Sequence, residues 1–202
     1  GGNLINLSSN MPRLNPLTMS HKHTPELRDK LVAPEFPPVF QPFLEGFSSA
    51  YFKLIESVLT KDPYQIKTLI APGTQPIAST RGSKKVIQAL KEVDFFVTID
   101  VMKTAEYAYA DIVMPVASSY ETEYPFETTP TWIGARRKVI EPLGDYKSMH
   151  EFWLDLGVKM GYRDEFWNGN INSCMDYLLK PFEMNFEELK NHPHGLFYPP
   201  KE

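Results

Sequence analysis

Two stretches carry residue types that suit nucleotide chemistry. The first is the run Ala71-Pro-Gly-Thr-Gln-Pro-Ile-Ala-Ser79. Gly73 permits close backbone approach, Gln75 offers an amide, and the helix that follows the loop would direct its N–H groups at an anion. The second is Asp100, which closes an apolar run. A carboxylate there can accept hydrogen bonds from ribose hydroxyls, or from the N1–H and N2–H₂ donors of a guanine edge. The same residues also fit a plain loop with a turn glycine and an aspartate capping the next turn. Spacing alone leaves both readings open. The chain contains no G-x-G-x-x-G and no G-x-x-x-x-G-K-[ST], which excludes a standard NAD fingerprint and a Walker loop.

Other reactive residue types point to less. Cys174 is the single cysteine, so an internal disulfide is excluded, as is an iron–sulfur cluster held by this chain alone. It sits beside Met175, Leu178 and Leu179 at helical spacing and reads as a core residue. His21 and His23 flank Lys22, and His192 and His194 flank Pro193; without nearby ligands both pairs read as solvated loop histidines. Arg136, Arg137 and Lys138 fall in a stretch, Trp132 to Glu141, that reads as a strand. They suit either phosphate contacts or ion pairs with Glu121, Glu123 and Glu127.

The elements that must position the first two stretches alternate in kind. Ala50, Tyr51, Leu54, Ile55, Val58 and Leu59 recur at helical spacing, with Lys53, Glu56 and Ser57 on the opposite face. Ser48 or Ser49 is a candidate cap, and Asp62-Pro63 the stop. A short apolar strand over 67–71 follows, then a helix over 79–92 with Val86, Ile87 and Leu90 inward. The strand over 94–100 is apolar on both faces, as in a covered parallel sheet. A helical turn over 104–109 leads to a third strand over 112–115. Strands alternating with helices give the α/β class, with right-handed crossovers and ligands beyond the carboxyl ends of the strands. Further on, helices are expected over 149–160, 172–180 and 186–190. Phe152, Trp153, Leu156 and Met160 form a stripe on the first.

Composition bounds the rest. The chain has 202 residues, 42% hydrophobic and 23% charged, which suits a globular protein. The net charge of −4 leaves no basic excess for nucleic acid, and no apolar run is long enough to insert in a membrane. The 18 prolines gather at the two ends. Residues 1–46 therefore read as an extended Pro-rich arm, with one short helix at Thr24-Pro25-Glu26, lying on another surface. Residues 47–120 form the α/β part, 121–147 a strand-containing return and 148–202 a helical segment ending in a Tyr198-Pro-Pro linker. The chain opens on Gly1-Gly2-Asn3 rather than methionine, so it reads as a piece of a longer protein whose compartment, cytoplasmic or exported in the folded state, is not indicated.

The ordered series of segments resembles a known family. It consists of Pro63-Tyr-Gln-Ile-Lys-Thr-Leu-Ile, Gly73-Thr-Gln-Pro76, Ala89-Leu-Lys-Glu-Val-Asp-Phe-Phe-Val-Thr-Ile-Asp100, Thr104-Ala-Glu and Tyr109-Ala-Asp-Ile-Val-Met-Pro115. These resemble the G-x-N-P and V-x-x-D-x-x-x-T-x-T-A-x-x-A-D-I-V-L-P runs of the molybdopterin oxidoreductases of the dimethyl-sulfoxide-reductase type. Val139-Ile-Glu-Pro-Leu-Gly-Asp145 resembles the family's later V-x-P-x-G-E. The resemblance implies the middle-to-late part of a catalytic subunit and a Rossmann-like parallel sheet flanked by helices, present as a partial domain. It implies a molybdopterin guanine dinucleotide carrying molybdenum or tungsten, shared with other parts of the subunit, and Gly73, Thr74, Gln75, Pro76, Asp100 and Thr104 at its guanosine end. A 4Fe–4S centre would belong to a preceding segment. The implied partners are the remainder of the catalytic subunit and an iron–sulfur electron-transfer subunit. Gln75 replaces the family's asparagine, Met102-Lys103-Thr104-Ala105 keeps only one threonine, Thr104, of T-x-T-A, and Tyr124-Pro-Phe-Glu-Thr-Thr-Pro130 replaces a glycine-rich run. These departures suit a branch near the acetylene hydratases and thiosulfate reductases rather than the formate dehydrogenases. Two other readings stay open: a non-catalytic relative that has lost its metal site, and a stand-alone nucleotide-binding module.

Overall fold

The computed structural model describes residues 11–15 and 51–199, which fall in two units. One spans Thr18–Pro115; the other joins Gly1–Leu17 to Val116–Glu202. His21, His23, the expected helix at Thr24-Pro25-Glu26, the Ser48 and Ser49 caps and most of the Pro-rich arm lie outside the described residues.

The unit ending at Pro115 is a parallel α/β layer. Helix α1 (Tyr51–Thr60) is followed by β1 (Thr68–Pro72), α2 (Pro76–Ser79), α3 (Ser83–Glu92) and β2 (Phe95–Asp100). A 3₁₀ turn (Ala105–Ala108) and β3 (Ile112–Pro115) complete it. The sheet order is β1-β2-β3, and both pairings are parallel. The central β2 is buried from Phe96 to Asp100, as its unbroken apolar run requires. Ile55, Val58, Val86, Ala89 and Leu90 of the helices pack with Ala71 and Phe96 into one core. Asp111 fixes the register of β3. Its carboxylate accepts the Phe96 N–H at 2.7 Å, and its own N–H donates to the Phe96 carbonyl at 2.9 Å.

Two expectations change here. The helix expected over 79–92 starts only at Ser83, after Gly82 in a left-handed conformation (φ 82°), and Ser79 instead closes the separate short helix α2. Ser57, expected on an open polar face, is 3% exposed; with Ile55 and Val58 also buried, α1 is covered over a wide arc.

The other unit is helical around a small antiparallel sheet. It contains β4 (Glu127–Thr129), β5 (Trp132–Gly134), α4 (Met149–Lys159), α5 (Ile171–Leu179), α6 (Phe186–Lys190) and β6 (Leu196–Phe197), with sheet order β4-β5-β6. Ser148 with Glu151 and Asn185 with Glu188 form reciprocal capping boxes on α4 and α6. Phe126, Ile133, Leu154, Cys174, Met175, Leu179, Phe186 and Leu189 make the core. Desolvation pushes the Cys174 thiol up to about 11, as suits an inert core cysteine. Among the described residues no helix is long and apolar enough to cross a membrane.

This unit corrects four further expectations. The strand expected over 132–141 stops at Gly134. Beyond it the cations are engaged one by one: Arg136 pairs with Glu127, Arg137 donates to the Lys190 carbonyl at 2.7 Å, and Lys138 pairs with Glu141 at 2.8 Å. The stripe on α4 is displaced: Leu154 and Gly157 are buried, while Trp153 and Met160 are exposed. Gly157 sets that register, because a Cβ there would lie 2.3 Å from the Phe166 ring. Tyr198 is not linker: its N–H donates to the Thr131 carbonyl and its ring meets Phe182. Lastly, residues 11–15 lie on this chain itself. The Asn15 side chain donates to the Tyr177 carbonyl at 2.7 Å, its N–H donates to the Leu178 carbonyl, and Met11 and Leu14 pack against the core.

Candidate cofactor-binding site

All six residues singled out from the sequence fall in the unit ending at Pro115 and follow the carboxyl ends of β1 and β2. Pro72 pairs with Ile99 in the parallel register, so Gly73, just beyond β1, comes beside Asp100, the last residue of β2. The Gly73 N–H donates to the Ile99 carbonyl at 2.7 Å and ties the first loop to the end of β2. Gly73 has φ 54°, and nothing lies within 4 Å of where a Cβ would stand, so this surface is open to close approach. Asp100 is 8% exposed. Its Oδ1 accepts the Met102 N–H at 3.1 Å, while Oδ2 has no partner among the described residues.

The start of α2 differs from the expectation. Its N–H groups do not wait for an anion. Pro76 has none, Ile77 donates to Glu106 Oε1 at 2.8 Å, and Ala78 and Ser79 donate to the Gln75 carbonyl at 3.0 and 2.8 Å. A four-residue helix must close its own terminus in this way, since few of its bonds are internal. The groups left for a ligand are therefore the Thr74 and Gln75 N–H groups and the exposed Gln75 amide, none of which has a partner among the described residues.

Thr104, the last of the six, precedes the 3₁₀ turn as its cap residue, yet its Oγ1 caps nothing and is buried without a partner. Among the described residues, the buried side-chain oxygens lacking partners are those of Thr98, Thr104 and Glu106 Oε2. All three belong to β2 and the loop beyond it. Such atoms are rare in folded proteins, and each marks a place where a hydrogen-bonding group is wanted.

Two residues here were not singled out from the sequence. Glu106 is fully buried and holds Ile77, 29 residues earlier, which no local pattern reveals. The only cue is a carboxylate in a turn otherwise made of alanine and tyrosine. Tyr107 lies close enough to Asp100 to feel its charge: burial first, then that carboxylate, raises its phenol above the usual range. Among the described residues no cluster of histidine, cysteine, aspartate or glutamate could hold a metal ion.

Residues 73–76 and 100–104 are thus a hydrogen-bonding rim of unused donors and one free carboxylate oxygen at the carboxyl edge of a parallel sheet. This suits a ligand rich in both donors and acceptors. Comparisons with known proteins bear on which kind. The thiosulfate reductase molybdopterin-containing subunit of Salmonella typhimurium is 26% identical over 66% of this chain and 17% of its own length. A formate dehydrogenase alpha subunit of Methanocaldococcus jannaschii is 33% identical over 60% of this chain and 18% of its own. Relatives of both kinds thus appear, and the branch expected from Gln75 and Met102 is not separated from the formate dehydrogenases. Among solved structures, acetylene hydratase from Pelobacter acetylenicus matches the fold with a TM-score of 0.76 at 17% identity, over 98% of this chain and 30% of that protein. The chain spans under a fifth of those two relatives. The model of the family described as molybdopterin oxidoreductase matches residues 27–158, well over half the sequence, and the chain belongs to that family.

Proposed function

We propose that this chain is a segment of the catalytic subunit of a molybdenum- or tungsten-dependent oxidoreductase, and that its parallel sheet holds the guanosine end of one pterin guanine dinucleotide. The observation that carries the reading is the Gly73–Ile99 hydrogen bond, which sets the β1 loop beside Asp100. The free Asp100 Oδ2 suits the paired donors of a guanine edge or a ribose hydroxyl. The Thr74 and Gln75 N–H groups and the Gln75 amide suit the carbonyl and ring nitrogens of the base or the phosphate oxygens beyond it. Pro76 fixes where that loop ends. The partnerless Thr104 hydroxyl adds a further donor and acceptor. These groups fit the cofactor; the pterin-held metal supplies the redox chemistry, and this chain's share is to bind and orient the nucleotide end. The remaining parts of the subunit complete the site, and an iron–sulfur subunit exchanges electrons with it.

The test is Asp100→Ala in the full-length enzyme, with Asp94→Ala, exposed at the opposite end of β2, as control. Losing a charged hydrogen-bond partner costs about 1.5–3 kcal/mol. Guanine nucleotide released per protein should fall in the first variant and stay at the wild-type level in the second. Equal content in both defeats the assignment.

A further inference from the structure

A buried carboxylate bridges the two loops of the candidate site. Glu106 belongs to the 3₁₀ turn after β2, and its Oε1 accepts the Ile77 N–H of α2, after β1. The side chain is fully buried, and its Oε2 has no partner. Burying a carboxyl group with one oxygen unmatched is costly compared with an apolar residue of the same size, so packing alone does not explain it. What the contact does accomplish is geometric. α2 is a single turn, too short to hold its own shape, and its first N–H is missing at Pro76. The second N–H goes to Glu106. Together with the Gly73–Ile99 bond, this contact sets the position of Gln75 and Pro76 relative to Asp100 and Thr104.

We infer that Glu106 is the positioning residue of this site: its carboxylate clamps the Gly73–Pro76 loop to the Asp100–Thr104 loop, and the nucleotide end of the cofactor meets both only while the clamp is closed. The inference rests on the cofactor reading above. It also bears on selectivity. The Ile77 N–H, given to Glu106, is not available to a phosphate, so an anion near this loop has only the Thr74 and Gln75 donors.

The experiment uses the full-length enzyme carrying Glu106→Ala, Glu106→Gln or Glu106→Asp, with Asp100→Ala as reference and Leu90→Ala as a core variant that touches neither loop. Hydrogen exchange at the Ile77 amide reports the clamp with or without cofactor; released guanine nucleotide per protein reports binding. Glu106→Ala should speed Ile77 exchange about tenfold or more and lower nucleotide content about threefold or more. Glu106→Gln keeps an acceptor oxygen at the same reach and should restore both. Glu106→Asp, one methylene short, should behave as alanine does, and this pair decides the matter if the alanine variant does not fold. Leu90→Ala should lower the melting temperature without lowering nucleotide content. Unchanged Ile77 exchange in Glu106→Ala overturns the clamp. Faster exchange with full nucleotide content, while Asp100→Ala is depleted, overturns the positioning role alone. Full content in both variants overturns the cofactor reading on which it rests. Equal depletion in Leu90→Ala and Glu106→Ala reduces Glu106 to a stability residue and overturns the inference.

Discussion

Asp111 offers a direct test of how the sheet under the site is registered. Its carboxylate receives the Phe96 N–H at 2.7 Å, and its own N–H answers to the Phe96 carbonyl, so one residue satisfies both backbone groups at the entry to β2. Phe96 itself is fully buried. Asp111→Ala would leave its N–H without an acceptor. A hydrogen bond to a charged group contributes about 1.5–3 kcal/mol, and the exposed position of Asp111 lets water recover part of it, so about 1–2 kcal/mol is expected. In a long multidomain protein a global melt blurs such a change, so the assay is native-state hydrogen exchange at the Phe96 amide. Its protection should fall about 5- to 30-fold in Asp111→Ala. In Asp111→Asn, which keeps a neutral acceptor, the fall should be smaller. Amides near Asp100, at the far end of β2, should change little. Unaltered Phe96 protection in the alanine variant, or equal loss in both, would refute the argument that the carboxylate pins this register.

Two further predictions concern the other unit. Burial raises the Cys174 thiol to about 11, so alkylation near neutral pH should be negligible in the folded protein and rapid after denaturation; comparable rates by mass spectrometry would contradict the core assignment. Hydrogen bonds from the Ser118 hydroxyl, the Ser118 N–H and the Leu143 N–H hold the Glu121 carboxyl below its ordinary value of 4.5. The sign follows: the stabilisation is complete above the unfolded value and is lost as pH falls through the depressed folded one. Leu143 amide protection should therefore hold down to about pH 4.5 and fall below it, and Glu121→Gln should remove that dependence. A wild-type profile in the glutamine variant would exclude Glu121 as the titrating group.

What could be read from the sequence and what could not divide along physical lines. The parallel strands were legible because a central strand must be apolar on both faces, and 95–100 is such a run; β3 kept its expected bounds. Helix α6 was legible because Asn185 and Glu188 announce their capping box locally. The split between α2 and α3 needed the left-handed Gly82, which a periodicity count passes over. The stripe on α4 was displaced because the decisive residue, Gly157, acts through what it lacks: Phe166 packs into the space of a missing side chain. The cations after β5 suggested a longer strand, yet each answers to a partner whose position depends on the fold, Glu127 for Arg136 and the end of α6 for Arg137. Contacts reaching across 29 residues, as Glu106 does to Ile77, leave no mark on local pattern at all.

The same contact changes the chemistry expected of the site. From the sequence, the loop before α2 resembles a phosphate cradle: a glycine, a proline and the start of a helix. In the fold, the N–H groups of that helix are already matched, two by the Gln75 carbonyl and one by a buried carboxylate. An anion at the first turn of α2 would find its N–H groups already given away. Asp100 Oδ2 seeks donors rather than acceptors. Asp100, which closes β2, keeps one carboxylate oxygen free to accept hydrogen bonds, whereas Glu106, in the 3₁₀ turn beyond it, is fully buried and already holds Ile77. Guanine, with N1–H and N2–H₂ side by side, gives two from one edge; adenine offers no such pair. The free Thr74 and Gln75 N–H groups lie on the loop ahead of the carboxylate clamp and remain suited to the base carbonyl. Under the proposed cofactor reading, a guanine edge would find its acceptor at Asp100 rather than in a glycine-rich turn.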